Sequence, residues 1–171
     1  MNEHFGAVTF KGNPLTLLGD MPKAGDVAPG FAAVAKDLTP ANLSDYKGKV
    51  VVIVSVPSLD TPVCDMEVRK FNAKAAELGE DVVILTVSCD LPFAQARWCG
   101  GAGVDRVITL SDYREREFGH AYGVVIKELL LLSRAVFVVD REGVVRYVQL
   151  VVEIADEPNY GEVIDAVKSV L

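Results

Sequence analysis

Short apolar runs alternate with stretches of helical spacing along most of the chain. Residues 50–56 form the strongest run, in which six of seven residues are apolar and β-branched. Such a run is typical of a central strand covered on both faces. Similar runs predict strands at 82–87 and 107–110, and a pair at 135–139 and 144–152 around the turn signal Asp140-Arg141-Glu142-Gly143.

Amphipathic helical patterns lie between and after these strands. The longest begins at Cys64 and continues with apolar or small residues at helical steps, namely Val68, Phe71, Ala75 and Leu78. This stripe predicts that Cys64 faces the sheet. Asp90 is a candidate N-cap for a helix over 92–99, another short helix is expected over 114–122, and Asn159 with Glu162 resembles the capping box of a terminal helix. The predicted buried face of that helix comprises Tyr160, Val163, Ile164, Val167 and Leu171.

The amino-terminal region has a different pattern. Residues 7–10 and 15–18 predict a β-hairpin with turn residues at its tip, and residues 20–49 are rich in loop signals around a short apolar piece at 31–35. We expect this segment to wrap the edge of the sheet. The alternation of elements predicts one α/β domain over residues 1–171, with a mixed central sheet, helices on both faces and a hairpin extension over residues 1–19.

Composition narrows the function classes. The 171 residues carry 17 basic and 24 acidic side chains, a net charge of −7, which is poorly suited to binding nucleic acid. Apolar runs are too short to span a membrane, and the amino end lacks the pattern of a signal peptide, so a cytoplasmic protein is expected. Three cysteines in a reducing compartment indicate reactive or buried thiols rather than a disulfide framework.

Cys64 has the most informative surroundings of the three. Pro57 ends the preceding strand, Asp60 or Thr61 can cap a helix, and Pro62 fits the first helical position. Cys64 would then lie among free backbone N–H groups at the positive end of the helix dipole. Because the thiolate is the nucleophilic form, this position indicates an activated thiol.

Neighbouring residues suggest what such a thiol attacks. Thr61 places a hydroxyl within one helical turn of Cys64, where it can both donate and accept hydrogen bonds, as a hydroperoxide requires. Attack on an O–O bond also needs donors for the departing oxygen, and Arg134, at the start of the 135–139 strand, is a better candidate than Arg69 or Arg97. Cys99 is a candidate for the second thiol, which condenses with the resulting sulfenic acid.

These residues resemble a known family. Pro57, Thr61 and Cys64 fit the Pro-x-x-x-Thr-x-x-Cys signature of peroxiredoxins, and residues 90–100 resemble the resolving-cysteine segment of bacterial thiol peroxidases. The resemblance spans nearly the whole chain and implies a thioredoxin-like fold, a homodimer and no cofactor. It further implies that Cys64 reduces a hydroperoxide, that Cys99 closes an intrachain disulfide which thioredoxin reopens, and that Pro57, Thr61 and Arg134 contact the substrate or thiolate.

Several alternatives stay open at this level. Cys89 is an extra thiol that could compete for Cys64 or pair with Cys99, and Trp98 replaces the phenylalanine common in the family. Residues 129–132, four leucines, fit either a buried strand start or a substrate collar or subunit contact. A disulfide oxidoreductase is disfavoured because Cys64 is not part of a Cys-x-x-Cys motif, whereas a redox-sensing module without turnover remains the rival function.

Overall fold

Ten strands and four helices account for the architecture of the computed structural model, which describes residues 1–171. The strands are β1 (Glu3–Phe10), β2 (Asn13–Leu18), β3 (Ala32–Val34), β4 (Pro40–Asn42), β5 (Val50–Ser55), β6 (Val82–Ser88), β7 (Ile108–Ser111), β8 (Val125–Ile126), β9 (Ala135–Val139) and β10 (Val145–Leu150). The helices are α1 (Pro62–Leu78), α2 (Pro92–Ala102), α3 (Glu117–Ala121) and α4 (Tyr160–Val170). No helix combines the length and the apolar character that crossing a membrane requires.

Seven strands form the main sheet, in the order β10-β9-β5-β6-β7-β3-β4. β5 and β6 are parallel, as are β6 and β7, whereas β9 runs antiparallel to β5. All six residues of β5 are buried, as expected for a strand with both faces covered. The predicted mixed central sheet is therefore confirmed, and the predicted neighbour relation between the 50–56 and 135–139 strands is correct.

The two faces of the sheet bury separate apolar clusters. Alternate β5 residues divide between them, with Val52 and Val54 on one side and Val51 and Ile53 on the other. The first cluster packs beneath α1 and α4, and the second packs against aromatic residues of the α3 region. Helices thus cover both faces, as the sequence predicts.

The amino-terminal hairpin forms its own sheet. β1 and β2 pair antiparallel around Lys11 and Gly12, whose positive φ angles of 49° and 80° fit a two-residue hairpin turn. β8 adds a third strand through Leu17 and Leu18. The division of the chain into one domain with a hairpin extension over residues 1–19 stays an interpretation.

Several sequence-based boundaries differ from the structure. The loop-rich residues 20–49 lie at the edge of the main sheet as predicted, but they also contain two short strands, β3 and β4, that the sequence analysis did not predict. The N-cap of α2 is Leu91, not Asp90, because the Asp90 carboxylate is occupied elsewhere, and α2 runs past residue 99 to Ala102. α3 is shorter than predicted, and β10 ends at Leu150.

The terminal helix also departs in detail. Asn159 accepts a hydrogen bond from the Glu162 N–H, but the Glu162 carboxylate binds Tyr147, so only half of the capping box forms. Leu171, predicted to be buried, is 50% exposed because it lies beyond the last helical turn.

Candidate active site

The start of α1 brings the first cysteine to the position that its sequence context predicts. Thr61 occupies the N-cap, Pro62 begins the helix, and Cys64 lies in its first turn, with a side chain fully removed from solvent. Pro57 is buried just beyond the end of β5. Cys64 therefore lies in the turn of α1 that carries the free N–H groups and the positive end of the helix dipole.

Thr61 does not make the contact that its spacing suggests. Its hydroxyl donates to the Ser58 carbonyl at 2.9 Å and forms no hydrogen bond to Cys64 Sγ. The side chain is exposed at the mouth of the site. Thr61 is thus the N-cap residue by backbone position, and a substrate-binding role for its hydroxyl stays a prediction.

Arg134 makes direct contact with the Cys64 sulfur. Its Nη2 donates to Cys64 Sγ at 3.1 Å, and Nε and Nη2 both donate to the Ile154 carbonyl, at 3.2 and 3.0 Å. Nη1 forms an ion pair with Glu67. Arg134 is 1% exposed, and although burial opposes the charged form, Glu67 and Cys64 keep the pKa of Arg134 above its usual value. Arg134 is therefore a fixed cation beside the thiol.

Glu67 is a site residue that the sequence analysis missed. It lies three residues after Cys64, on the same face of α1, and is completely buried. Burial raises the pKa of Glu67 to about 7, against the opposing pull of Arg134, and its Oε1 has no hydrogen-bond partner. A carboxylate within the apolar stripe of α1 was the signal that could have revealed it. Arg134 stays charged, so Glu67 is the titrating member of the pair.

The raised pKa of Glu67 makes the stability of the fold depend on pH. The neutral Glu67 carboxyl should contribute its full stabilisation below pH 4.5, the ordinary pKa of a glutamate. This contribution should be lost as pH rises through about 7, the pKa of Glu67 in the folded protein. Glu67→Gln should remove this component. Urea unfolding at closely spaced pH values would reveal it as a decline present in the unaltered chain and absent in the variant. If the free energy of unfolding of both proteins changed with pH in the same way, Glu67 would not titrate between pH 4.5 and about 7.

Asp90 fastens the loop before α1 to the end of β6. Its carboxylate accepts from the Ser58 hydroxyl at 2.7 Å, from the Leu59 N–H at 2.8 Å and from the Ser88 hydroxyl at 2.8 Å. The loop that leads into α1 is therefore held by one carboxylate, which explains why Asp90 does not cap α2.

Cys99 lies on the buried side of α2, with its sulfur 3.6 Å from the Thr109 hydroxyl of β7. The neighbouring Trp98 donates its indole N–H to Asp65 on α1 at 2.8 Å, and Arg69 of α1 donates to the Ala102 carbonyl at 3.1 Å. These contacts clamp α2 against α1. All three cysteines are free thiols in this arrangement.

Cys89 has a less reactive environment. Burial, and next the nearby Asp112 carboxylate, raise the pKa of Cys89 to about 11. At neutral pH it is therefore a thiol rather than a thiolate. Its surroundings differ from those of Cys64, which has a cation within hydrogen-bonding distance.

A hollow of about 300 Å³ opens above the first turn of α1, lined by Leu59, Asp60, Thr61, Pro62, Asp65 and Trp98. A larger cavity of about 760 Å³ lies between the hairpin and β10 and includes none of the predicted site residues. The position of the chemistry therefore follows from the cysteine and its cation rather than from cavity size.

Comparisons with known proteins agree with this arrangement. The sequence profile of the Redoxin family matches residues 23–164. A thiol peroxidase of Halalkalibacterium halodurans is 54% identical over 165 residues, covering 96% of this chain and 99% of the relative. A thiol peroxidase of Bacillus subtilis is 52% identical over 164 residues, covering 96% and 98%. The chain belongs to the bacterial thiol peroxidases of the Redoxin family. It is accordingly an oxidoreductase of the peroxidase class.

Solved structures of this family share the fold. A peroxiredoxin-like protein from Aquifex aeolicus superposes with a TM-score of 0.91 at 48% identity, covering 98% of this chain and 99% of that one. A thiol peroxidase from Chromobacterium violaceum gives a TM-score of 0.85 at 23% identity over 95% of each chain, which concerns the fold alone. The predicted thioredoxin-like fold of the peroxiredoxin type is thus confirmed.

Proposed function

We propose that the chain reduces hydrogen peroxide and organic hydroperoxides to water and alcohols through a sulfenic acid at Cys64 and an intrachain Cys64–Cys99 disulfide. The observation that carries the proposal is the 3.1 Å contact between Arg134 Nη2 and Cys64 Sγ at the start of α1. A buried guanidinium and the positive end of a helix dipole at one sulfur stabilise the negative charge with which a thiolate, the reactive form, attacks.

In the first step, the Cys64 thiolate attacks one peroxide oxygen, and the O–O bond breaks. The sulfur becomes a sulfenic acid, and the other oxygen leaves as hydroxide or alkoxide and takes up a proton. Negative charge thus moves from sulfur to the leaving oxygen. Arg134 and the first N–H groups of α1 are fixed donors on this path, and donors that need no reorganisation lower the barrier.

In the second step, the Cys99 thiol condenses with the sulfenic acid, forming an S–S bond and releasing water. Each sulfur must first leave its partner, Arg134 for Cys64 and Thr109 for Cys99. The carboxyl end of α2 supports such a movement, because Gly100 and Gly101 are poor helix formers and have no atoms packed against the side where a Cβ would lie. Local unfolding of this end costs less than unfolding of the core.

In the third step, a dithiol reductant returns both cysteines to thiols, and we propose that thioredoxin is this reductant.

We also propose that the enzyme acts in the cytoplasm as a homodimer. Leu129 and Leu130, 42% and 52% exposed, are candidates for a subunit contact or substrate collar. The four leucines divide, because Leu132 is buried and pairs with Val125 in an isolated antiparallel bridge, whereas β9 itself starts at Ala135.

Cys99→Ser should separate the two halves of the cycle. The variant should consume about one equivalent of peroxide and then stop, because its sulfenic acid has no resolving thiol. Peroxide consumption and NADPH oxidation in the presence of thioredoxin and its reductase would measure this. Trp98, the single tryptophan, adjoins Cys99, so its fluorescence should report the movement of α2 in the unaltered enzyme.

Cys89→Ser is the matched control, since it removes a thiol without touching either proposed partner, and it should cycle normally. Continued cycling of Cys99→Ser would assign resolution to Cys89 or to another chain. Peptide mapping of the oxidised enzyme distinguishes the three possible intrachain pairs. Peroxide consumption by the unaltered enzyme that ended after one equivalent would favour a redox sensor over a peroxidase.

A further inference from the structure

The Glu153 carboxylate binds the amino-terminal hairpin next to the segment that contacts the active site. Glu153, in the segment between β10 and α4, accepts hydrogen bonds from the Thr9 hydroxyl at 2.8 Å, the Lys11 N–H at 3.0 Å and the Gly12 N–H at 3.1 Å. These donors, with the Gly12 N–H foremost, hold the pKa of Glu153 below its usual range. Glu153 is therefore an anion at neutral pH, fastened to the tip of the hairpin.

The next residue, Ile154, is fixed from the same side. Its N–H donates to the Thr9 carbonyl at 2.9 Å, and the Thr9 N–H donates to the Val152 carbonyl at 2.7 Å. Thr9 and Glu153 form a parallel bridge, and the Ile154 side chain is buried with apolar residues of the three-stranded sheet, namely Val8, Leu17 and Ile126. The peptide of Ile154 is thus held by the hairpin through both backbone and side-chain contacts.

The Ile154 carbonyl contacts Arg134, the residue whose guanidinium lies beside the Cys64 sulfur. It accepts from Arg134 Nε and Nη2, and Nη2 is the same nitrogen that donates to Cys64 Sγ. The other two partners of Arg134, Glu67 and Cys64, are both side chains on α1. Ile154 therefore supplies the one backbone acceptor, from a separate element, that orients the plane of the guanidinium.

We propose that Glu153 is a positioning residue for peroxide reduction, which holds the Ile154 carbonyl so that Arg134 Nη2 stays directed at Cys64. Without the hydrogen bonds between Glu153 and the hairpin, Arg134 keeps its ion pair with Glu67, but its guanidinium can rotate about that contact. Because a guanidinium is a planar fork, such a turn removes a donor from the sulfur. The proposal rests on the proposed role of Arg134.

Glu153→Gln tests the proposal, because the amide retains the size of the side chain but replaces one acceptor oxygen with an NH₂ group that cannot accept. The pH midpoint of Cys64 alkylation by iodoacetamide, followed by peptide mass spectrometry, should move upward by about 0.5 pH unit. The rate of the first peroxide step should fall about fivefold, as expected for a displaced donor. A purely structural role would leave the alkylation midpoint unchanged.

Glu128→Gln provides a matched control. Glu128 also holds the hairpin, accepting from the Thr16 N–H at 2.9 Å and the Thr16 hydroxyl at 2.7 Å, but it has no contact with Ile154 or Arg134. In this variant, the pH midpoint of Cys64 alkylation and the rate of the first peroxide step should equal those of the unaltered enzyme. An equal shift in both variants would overturn the proposal, because general loosening of the hairpin would then explain it.

Arg134→Ala, measured in the same assays, separates this proposal from the proposed function. A shift with Arg134→Ala but none with Glu153→Gln would reject the role of Glu153 alone. No shift with either variant would reject both the role of Arg134 and the support that Glu153 gives it.

Discussion

Cys64→Ser should abolish peroxide turnover. We expect kcat/KM to fall by more than ~10³-fold, because a serine hydroxyl in place of the thiolate removes the nucleophile that accepts the peroxide oxygen. The fold should be retained, since serine is nearly isosteric and Cys64 Sγ has a hydrogen-bond donor in Arg134 that a hydroxyl can equally use. Initial rates with hydrogen peroxide and an alkyl hydroperoxide, each coupled to NADPH oxidation through thioredoxin, would measure the loss.

Cys89→Ser is the control for the loss of a thiol as such. Burial keeps Cys89 protonated at neutral pH, so its removal should leave the rate within about twofold of the unaltered enzyme. If Cys64→Ser retained most of its activity, or if Cys89→Ser lost it, the peroxidatic role would belong to another cysteine.

Arg134→Ala should slow the first step by about 10²-fold, the usual cost of removing a preorganised donor from developing charge. The pH midpoint of Cys64 alkylation should also rise, because the thiolate loses its nearest cation. Stopped-flow measurement of the first peroxide step and pH-dependent alkylation would test the two effects separately. An unaltered alkylation profile would remove Arg134 from the site.

Arg134→Ala should also lower the stability of the fold. Removing Arg134 leaves the buried Glu67 carboxyl without its partner. Because burial raises the pKa of Glu67 to about 7 even beside Arg134, this carboxyl should become protonated, and leaving it without a hydrogen bond costs about 1–3 kcal/mol. Arg134→Ala combined with Glu67→Gln removes the titrating group and should fold while retaining the slow first step. Arg97 lies on the exposed face of α2 and makes no ion pair. Arg97→Ala is therefore a matched control and should behave as the unaltered enzyme.

Local sequence patterns were sufficient for much of the site. The β-branched run before Pro57 and the proline at the start of α1 fixed Cys64 in a first helical turn, because strand and cap preferences act over a few residues. The start of β9 beside β5 also followed from pattern, which put Arg134 near that turn. Such predictions succeed where the determining interactions lie within one element and its neighbours.

Other features needed the tertiary structure. The spacing of Thr61 and Cys64 predicts a contact, but the Thr61 hydroxyl donates to the Ser58 carbonyl instead, because hydroxyls readily bond to backbone groups a few residues away. Asp90 has the composition of an N-cap, yet it binds Ser58 and Leu59 across the chain. Thr61 thus chooses between two partners equally near in sequence, whereas for Asp90 partners more than thirty residues away replace the local one.

The sequence by itself determined the central strands and the main helices, the position of Cys64 and the family, since these follow from short-range preferences and a signature within eight residues. Only the tertiary structure decided that Glu67 is buried against Arg134 and that the Ile154 carbonyl, next to Glu153 at the hairpin, accepts from the same guanidinium. The physical reason is that a hydrogen-bond partner is selected by position in space. Glu153 and Arg134 come together only after the hairpin, β9 and the segment following β10 have packed.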